Sequence, residues 1–230
     1  MLYLLFFLSG IHAQSKKITV AVAANMQYAM NALTAKFEEK SGGITVEIIL
    51  GSSGKLTQQI KEGAPYDVFI SADTKYPAEL YKWKMATDSP RIYAKGVLVL
   101  WTNTAGIKPT KDLKILLAAN VKKIAIANPK IAPYGAAAEE VLKKYALYDK
   151  VKDKLVFGES ITQTNQFILS QSADIGFTAK SVVLSDEIKD KGVWVKIDAK
   201  LYSPVEQAAV MLKHGAETNK AAAESFYNYL

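Results

Sequence analysis

Three short stretches of this chain place small, neutral hydrogen-bond donors where a strand should give way to a helix. They are Ala23-Ala24-Asn25-Met26, Gly51-Ser52-Ser53-Gly54-Lys55-Leu56, and Asn128-Pro129 through Ala132-Pro133-Tyr134-Gly135. The chemistry available there is anion binding. The first turn of a helix leaves backbone N–H groups unpaired and carries a partial positive charge. Neighbouring Gly and Ser let an oxyanion approach that backbone closely. Each stretch alone has a plainer role, because Ser and Asn cap helices and Pro133 can simply set a helix entry. Asn25 in particular is placed as a helix cap. Three such junctions, split between two halves of one chain, point to a shared anion cleft.

Catalytic constellations are weaker. Ser52-Ser53-Gly54-Lys55 fits a Ser-x-x-Lys pattern, and Ser185-Asp186-Glu187 and Lys213-His214-Gly215 faintly echo the other motifs of penicillin-recognising serine enzymes. Both echoes deviate at a residue, so a serine acyl-enzyme stays a minor alternative and the chain is read as a non-enzyme. His12 lies in a leader-like segment and His214 has no evident partner, which gives a Ser-His-Asp site little support. Gly51 to Lys55 is too short for a Walker phosphate loop. Asp67 and Asp73 could suggest a metal pair, but strand-end and helix-cap roles explain them better. No cofactor and no free metal cation is expected.

The elements that must position these junctions alternate. Lys17–Ala23 reads as a strand, and Met26, Ala29, Met30, Leu33 and Phe37 then fall on one helical face. Ile44–Leu50 is a second strand, Leu56 and Ile60 mark a helix, and Asp67–Ser71 is a third strand with Asp73 capping the next helix. The rhythm restarts near Val97–Trp101. Lys123–Ala127, Leu155–Phe157, Asp174–Thr178 and Ala208–Leu212 read as strands, and Gly135–Tyr145 and Ala216–Leu230 as helices. Such alternation implies an α/β fold with parallel pairing and crossover helices. In open α/β sheets ligands sit at the carboxyl ends of strands, where the three junctions lie.

Composition is that of a globular chain, half of it hydrophobic, and 230 residues suffice for one large domain or two small lobes. With no cysteine there is neither a disulfide framework nor a thiolate metal site, nor the usual point of lipid attachment. Residues 1–13 are uncharged and rich in Leu, Phe and Tyr, ending at Ala13 like the core and cleavage end of a secretory signal peptide. A free periplasmic monomer without a membrane anchor is therefore expected. The formal net charge of +7 invites a nucleic-acid reading. However, Lys143, Lys144, Lys150, Lys152 and Lys154 are spread along helical stretches as a solvated surface would have them. Arg91 is the only arginine, so a bidentate clamp on an anion would have to use it.

The stretches Ile18–Met26, Gly51–Ile60, Gly63–Asp73, Gly96–Trp101, Asn128–Gly135, Asp174–Ala179 and Tyr202–Met211 together resemble the periplasmic molybdate-binding proteins of ABC transporters. The run Ser52-Ser53-Gly54-Lys55-Leu56 followed by Gly63-Ala64-Pro65-Tyr66-Asp67-Val68-Phe69-Ile70-Ser71-Ala72-Asp73 carries most of the likeness. The resemblance implies a two-lobed type II periplasmic binding protein fold. Each lobe would hold a mixed, mainly parallel sheet flanked by helices, with the ligand in the cleft between them. It implies one lobe of residues 16–97 plus 206–230 and a second of residues 98–205.

It further implies capture of molybdate or tungstate, molybdenum entering only as the oxyanion, and delivery to the permease of an ABC importer. Sulfate or another oxyanion is the alternative ligand. Carried over residue by residue, Asn25 and the backbone of Ala24 match the first anion-contacting loop. Ser53 matches the serine whose hydroxyl and N–H hold the oxyanion, Tyr134 a contact at the second-lobe helix start, and Ile161 a backbone N–H donor in Glu159-Ser160-Ile161-Thr162. Some relatives have a ligand-binding tyrosine where this chain has Ala179, which leaves Tyr134 to supply the phenolic donor. Relatives also continue past the position of Leu230, which implies a C-terminal truncation. No matched position is Asp or Glu. The site is thus expected to favour a fully deprotonated anion over phosphate, whose proton would lack a partner at about 1–3 kcal/mol.

Overall fold

Two five-stranded sheets organise the chain, which the computed structural model describes over residues 16–230. The signal-peptide reading of residues 1–13 lies outside that range. In the first half, β1 (Lys16–Ala23), α1 (Gln27–Lys40), β2 (Ile44–Gly51), α2 (Ser53–Lys61), β3 (Val68–Ile70) and α3 (Lys75–Lys82) alternate, followed by β4 (Arg91–Gly96). One residue, Val97, separates β4 from β5 (Leu98–Thr102), which belongs to the other sheet. There β6 (Ile124–Ala127), α4 (Pro133–Lys144), α5 (Tyr148–Val151), β7 (Leu155–Gly158), α6 (Ile161–Leu169), β8 (Ile175–Ala179), α7 (Lys180–Val183) and β9 (Val193–Lys196) follow. The chain then returns to the first sheet through β10 (Val205–Met211) and ends in α8 (Lys213–Thr218) and α9 (Lys220–Tyr229).

The strand orders are β2-β1-β3-β10-β4 and β7-β6-β8-β5-β9. In each sheet the central strand of the alternating unit, β1 or β6, pairs parallel with both neighbours. The strands next to a crossover, β10 and β5, run antiparallel to both of theirs. Parallel pairing leaves the carboxyl ends of β1, β2 and β3 at one edge of the first lobe and those of β6 and β7 at one edge of the second. The two crossovers are tied together by Tyr202, whose buried hydroxyl accepts the Leu98 N–H at 3.0 Å.

Burial explains the periodicities. Along β1, Ile18, Val20 and Val22 face α1 and α9 with Met30, Phe37 and Phe226, while Ala21 faces Leu56, Ile60 and Leu80 on the opposite side. Because both faces are covered, the strand reads as a continuous apolar run. Strands β5, β6 and β8 are likewise wholly buried and form the second lobe's core with Val141, Leu142 and Ile168.

Outside the site, the structure departs from the sequence reading at the following elements. Ala29 faces solvent and Thr34 joins Met30 and Phe37 in the buried stripe, its hydroxyl satisfied by the Met30 carbonyl at 2.9 Å. The C-terminal helix is two helices broken at Asn219, whose side chain donates to Asp67 at 3.2 Å. Strands β4 and β9 were not anticipated, their burial being mixed and their alternation short. His214 does have a partner, the Asp67 carboxylate at 3.0 Å, which also accepts the Thr19 N–H at 2.7 Å.

Candidate functional site

Where the two lobes meet, a small cavity is lined by Ala23, Ala24, Asn25, Gly51, Ser52, Ser53, Ala72, Ala132, Pro133, Tyr134 and Ile161. All five residues singled out from sequence, Ala24, Asn25, Ser53, Tyr134 and Ile161, line it, and each is at least nineteen-twentieths buried. Three helices start at its wall: α2 with Ser53, α4 with Pro133 and Tyr134, and α6 with Ile161. Their first N–H groups have no partner within the helix, and their dipoles place positive potential there.

Each start is fixed by its own chemistry. Helix α2 follows the end of β2 directly, and Ser52 sits at its cap position in extended conformation without a side-chain cap bond. The buried Ser52 hydroxyl therefore has no partner. One residue on, the Ser53 hydroxyl accepts the Ala72 N–H at 3.0 Å. A hydroxyl that accepts from a backbone donor keeps its own proton to give, so Ser53 is set as a donor. Helix α4 begins with Pro133, whose missing N–H costs nothing at a first position. Gly135 packs against the carbonyl at the end of β6, where a Cβ would collide with Ala127. Helix α6 is capped by Ser160, which accepts the Gln163 N–H at 3.4 Å, while Gln163 returns its side-chain oxygen to the Glu159 N–H at 2.7 Å.

Asn25 is not the helix cap expected of it. It lies inside a 3-10 turn, Ala24–Met26, because α1 starts only at Gln27, and no side-chain cap bond is made. Its amide turns inward to the Gln207 side chain at 2.7 Å. The Tyr134 ring wedges against Gly96 at the first crossover, and its oxygen lies beside the Val97 N–H and the Asn25 amide. Burial, reinforced by Tyr202, pushes its hydroxyl well above the usual phenol range, so it stays protonated.

No charged side chain lines the cavity among the described residues. Lys55 does not line the cavity and pairs with Glu159 at 2.8 Å. Arg91 is engaged with the Tyr227 carbonyl and ring in the first lobe. Asp73 takes the Tyr76 N–H at 3.2 Å ahead of α3, as a capping residue does. Ala179 is fully buried at the end of β8, with no hydroxyl to offer.

The cleft is closed. Gly54 N–H donates to the Ile131 carbonyl at 2.9 Å, pinning the start of α2 to the loop that leads into α4. A Cβ at Gly54 would stand 3.0 Å from the Ile131 Cα, so the lobes meet there backbone to backbone. Thr162 to Gln27 at 2.8 Å, Ser181 to the Asn25 carbonyl at 2.9 Å and Tyr76 to the Lys130 carbonyl at 3.3 Å bridge the same gap. Ser52 and Gln207 were missed as site residues. Ser52 reads as an ordinary cap, and nothing local marks Gln207, which lies 182 positions from Asn25.

Comparison with known proteins gives a consistent picture. A family model described as bacterial extracellular solute-binding protein matches residues 18–230. The chain is 39% identical over 96% of its length to the molybdate-binding protein ModA of Rhodobacter capsulatus, covering 85% of that protein. It is 40% identical over 95% of its length to its counterpart in Azotobacter vinelandii, again covering 85%. Among solved structures, the Azotobacter vinelandii periplasmic molybdate-binding protein superposes with a TM-score of 0.85 at 35% identity, over 92% of this chain and 91% of that one.

Proposed function

Because the chain belongs to the bacterial extracellular solute-binding protein family, we propose that it captures molybdate or tungstate outside the cytoplasm and hands it to an ABC importer. The observation that carries the ligand class is the cavity itself, closed between two lobes and lined by neutral donors at three helix starts. The similarity to molybdate-binding proteins over nearly the whole chain supports the choice of oxyanion.

In this reading Ser53 and Tyr134 donate their hydroxyls, and Ala24, Asn25, Ser53 and Ile161 donate backbone N–H groups. Residues 16–97 plus 206–230 act as one lobe and 98–205 as the other, and the anion favours the closed arrangement by touching both. A fully ionised tetrahedral anion accepts at every oxygen. Protonated phosphate would bury a hydrogen with no carboxylate to receive it, at about 1–3 kcal/mol. Sulfate is also a pure acceptor, and only its smaller size sets it apart from molybdate at such a site. The mature protein works as a periplasmic monomer whose partner is the permease.

Calorimetry with molybdate, tungstate, sulfate and phosphate tests this. Tight binding of the first two and at least a hundredfold weaker binding of the others is expected. No heat from molybdate or tungstate would sink the proposal.

A further inference from the structure

Asn25 lines the cavity with a side chain whose amide oxygen is buried and unpartnered, while its Nδ2 points at Gln207 Oε1, 2.7 Å away. In a residue that lines the cavity, a buried acceptor without a partner is the wrong polarity for an oxyanion. Exchanging N and O in both amides leaves every heavy atom in place and reverses the polarity. The neighbouring bonds decide between the two.

Tyr93 on β4 has its hydroxyl 3.1 Å from the Gln207 Oε1 position and 3.2 Å from the Ser71 carbonyl. Burial pushes that hydroxyl far above the ordinary phenol range, so it carries one proton at any working pH. With Gln207 presenting oxygen, this single proton faces two acceptors and satisfies one. With Gln207 presenting its NH₂ group, Tyr93 accepts from Gln207 and donates to Ser71, and Asn25 Oδ1 receives the other Gln207 hydrogen. The Ser71 carbonyl and Asn25 Oδ1 are then both served, and Asn25 Nδ2 takes the unpartnered position as a donor.

We infer that Gln207 is the residue that sets the polarity of the site, holding the Asn25 amide so that its NH₂ group meets the oxyanion. It does so from β10, through a relay running from the Ser71 carbonyl through Tyr93 and Gln207 to Asn25. Gln207 does not line the cavity itself, so it is a positioning residue. It sits where the pairing of β10 with β4 shifts: Gln207 and Ala208 lie opposite Ala94 and Ile92, which makes Tyr93 the extra residue of β4. The bulge leaves Tyr93 with no residue opposite it on β10 and re-aims its side chain, whose hydroxyl meets Gln207. The outcome is selection for anions that only accept, because the reversed amide would welcome a protonated one.

This inference rests on the oxyanion reading proposed above, and a double-mutant cycle on the full chain tests it with molybdate as the probe. Gln207→Met keeps the length and neutrality of the side chain but frees the Asn25 amide. Molybdate affinity should fall about 5- to 30-fold in the wild-type background, as expected for losing one directed bond. In an Asn25→Ala background the same change should alter affinity by less than about twofold, since contributions through one shared partner do not add. A purely structural role would give the same loss in both backgrounds, and that result overturns the inference.

The amide orientation can also be read in the unmutated protein by NMR. Gln207 side-chain amide protons should show contacts to the Tyr93 ring, and the Asn25 amide protons should shift on adding molybdate. Asn25 protons facing Gln207 and unmoved by molybdate would overturn the inference without any variant. Wild-type protein that gives no heat with molybdate or tungstate overturns the functional reading instead, which keeps the two failures distinct.

Discussion

Removing one oxygen, by Ser53→Ala, separates two roles that the same atom plays. The Ser53 hydroxyl accepts the Ala72 N–H at 3.0 Å in a site with no solvent exposure. Alanine strands that N–H, and an unpaired buried donor costs about 1–3 kcal/mol of stability. For a chain of this size each kcal/mol lowers Tm by about 2–4 °C, so a drop of about 2–12 °C is expected.

Both groups belong to the first lobe, so this loss is common to the free and bound protein and largely cancels from affinity. What remains is the bond that Ser53 donates to the anion. Hydrogen bonds to charged groups contribute about 1.5–3 kcal/mol, which translates into about 10- to 150-fold weaker molybdate binding. Calorimetry with molybdate gives the affinity, and differential scanning calorimetry of the ligand-free protein gives Tm. Binding within threefold of wild type alongside a lowered Tm would refute the reasoning, since the hydroxyl would then serve only the fold.

Lys55→Ala should weaken molybdate binding by no more than about fivefold, because an exposed ion pair to Glu159 contributes about 0–1 kcal/mol. That small effect should vanish in high salt, and calorimetry at two ionic strengths checks it. Gly96→Ala places a Cβ on the Tyr134 hydroxyl and 2.9 Å from Val205, so it should cut affinity at least tenfold without touching the ligand. Unchanged binding by that variant would show that Tyr134 is not held where it stands. Asp73 has its carboxyl raised above the ordinary 3.8, first by burial and against its bonds to Tyr76 and Ser71. Its charged form is therefore disfavoured in the fold, and stability is lost as pH rises from that ordinary value through the raised one. Asp73→Asn should then be at least as stable as wild type at neutral pH, with the difference shrinking as pH falls towards 3.8; urea titrations at both ends measure this.

The alternating first half was legible because its strands and helices are short, strongly apolar and punctuated by Gly, Ser and Asp. β1 to α3 are found where periodicity puts them, within one or two residues. The donor-rich junctions were legible too, since Ser53 and Tyr134 sit at helix starts that composition announces, whereas Ile161 was reached only through the family resemblance. What stayed hidden depends on distant partners. The break at Asn219 and the partner of His214 both follow from Asp67, about 150 positions earlier, so no local window contains them. Asn25 misled because its type suits a cap while the backbone enters a 3-10 turn first. Gln207 was invisible for the same reason as Asp67, since Asn25 and Tyr93, which it joins, lie 182 and 114 positions earlier.

The neutral lining of the cavity has a kinetic consequence. Among the described residues its wall holds no charged side chain, and its one phenol, Tyr134, stays protonated, so acidification or a competing counter-ion has nothing to act on. An ion enclosed there leaves only when the bond from Gly54 to Ile131 and its neighbouring bridges part together. Its residence time is therefore a clock set by how often the two halves swing open. A membrane partner that gripped both rims and pulled would shorten that clock mechanically, leaving the ion's own chemistry untouched.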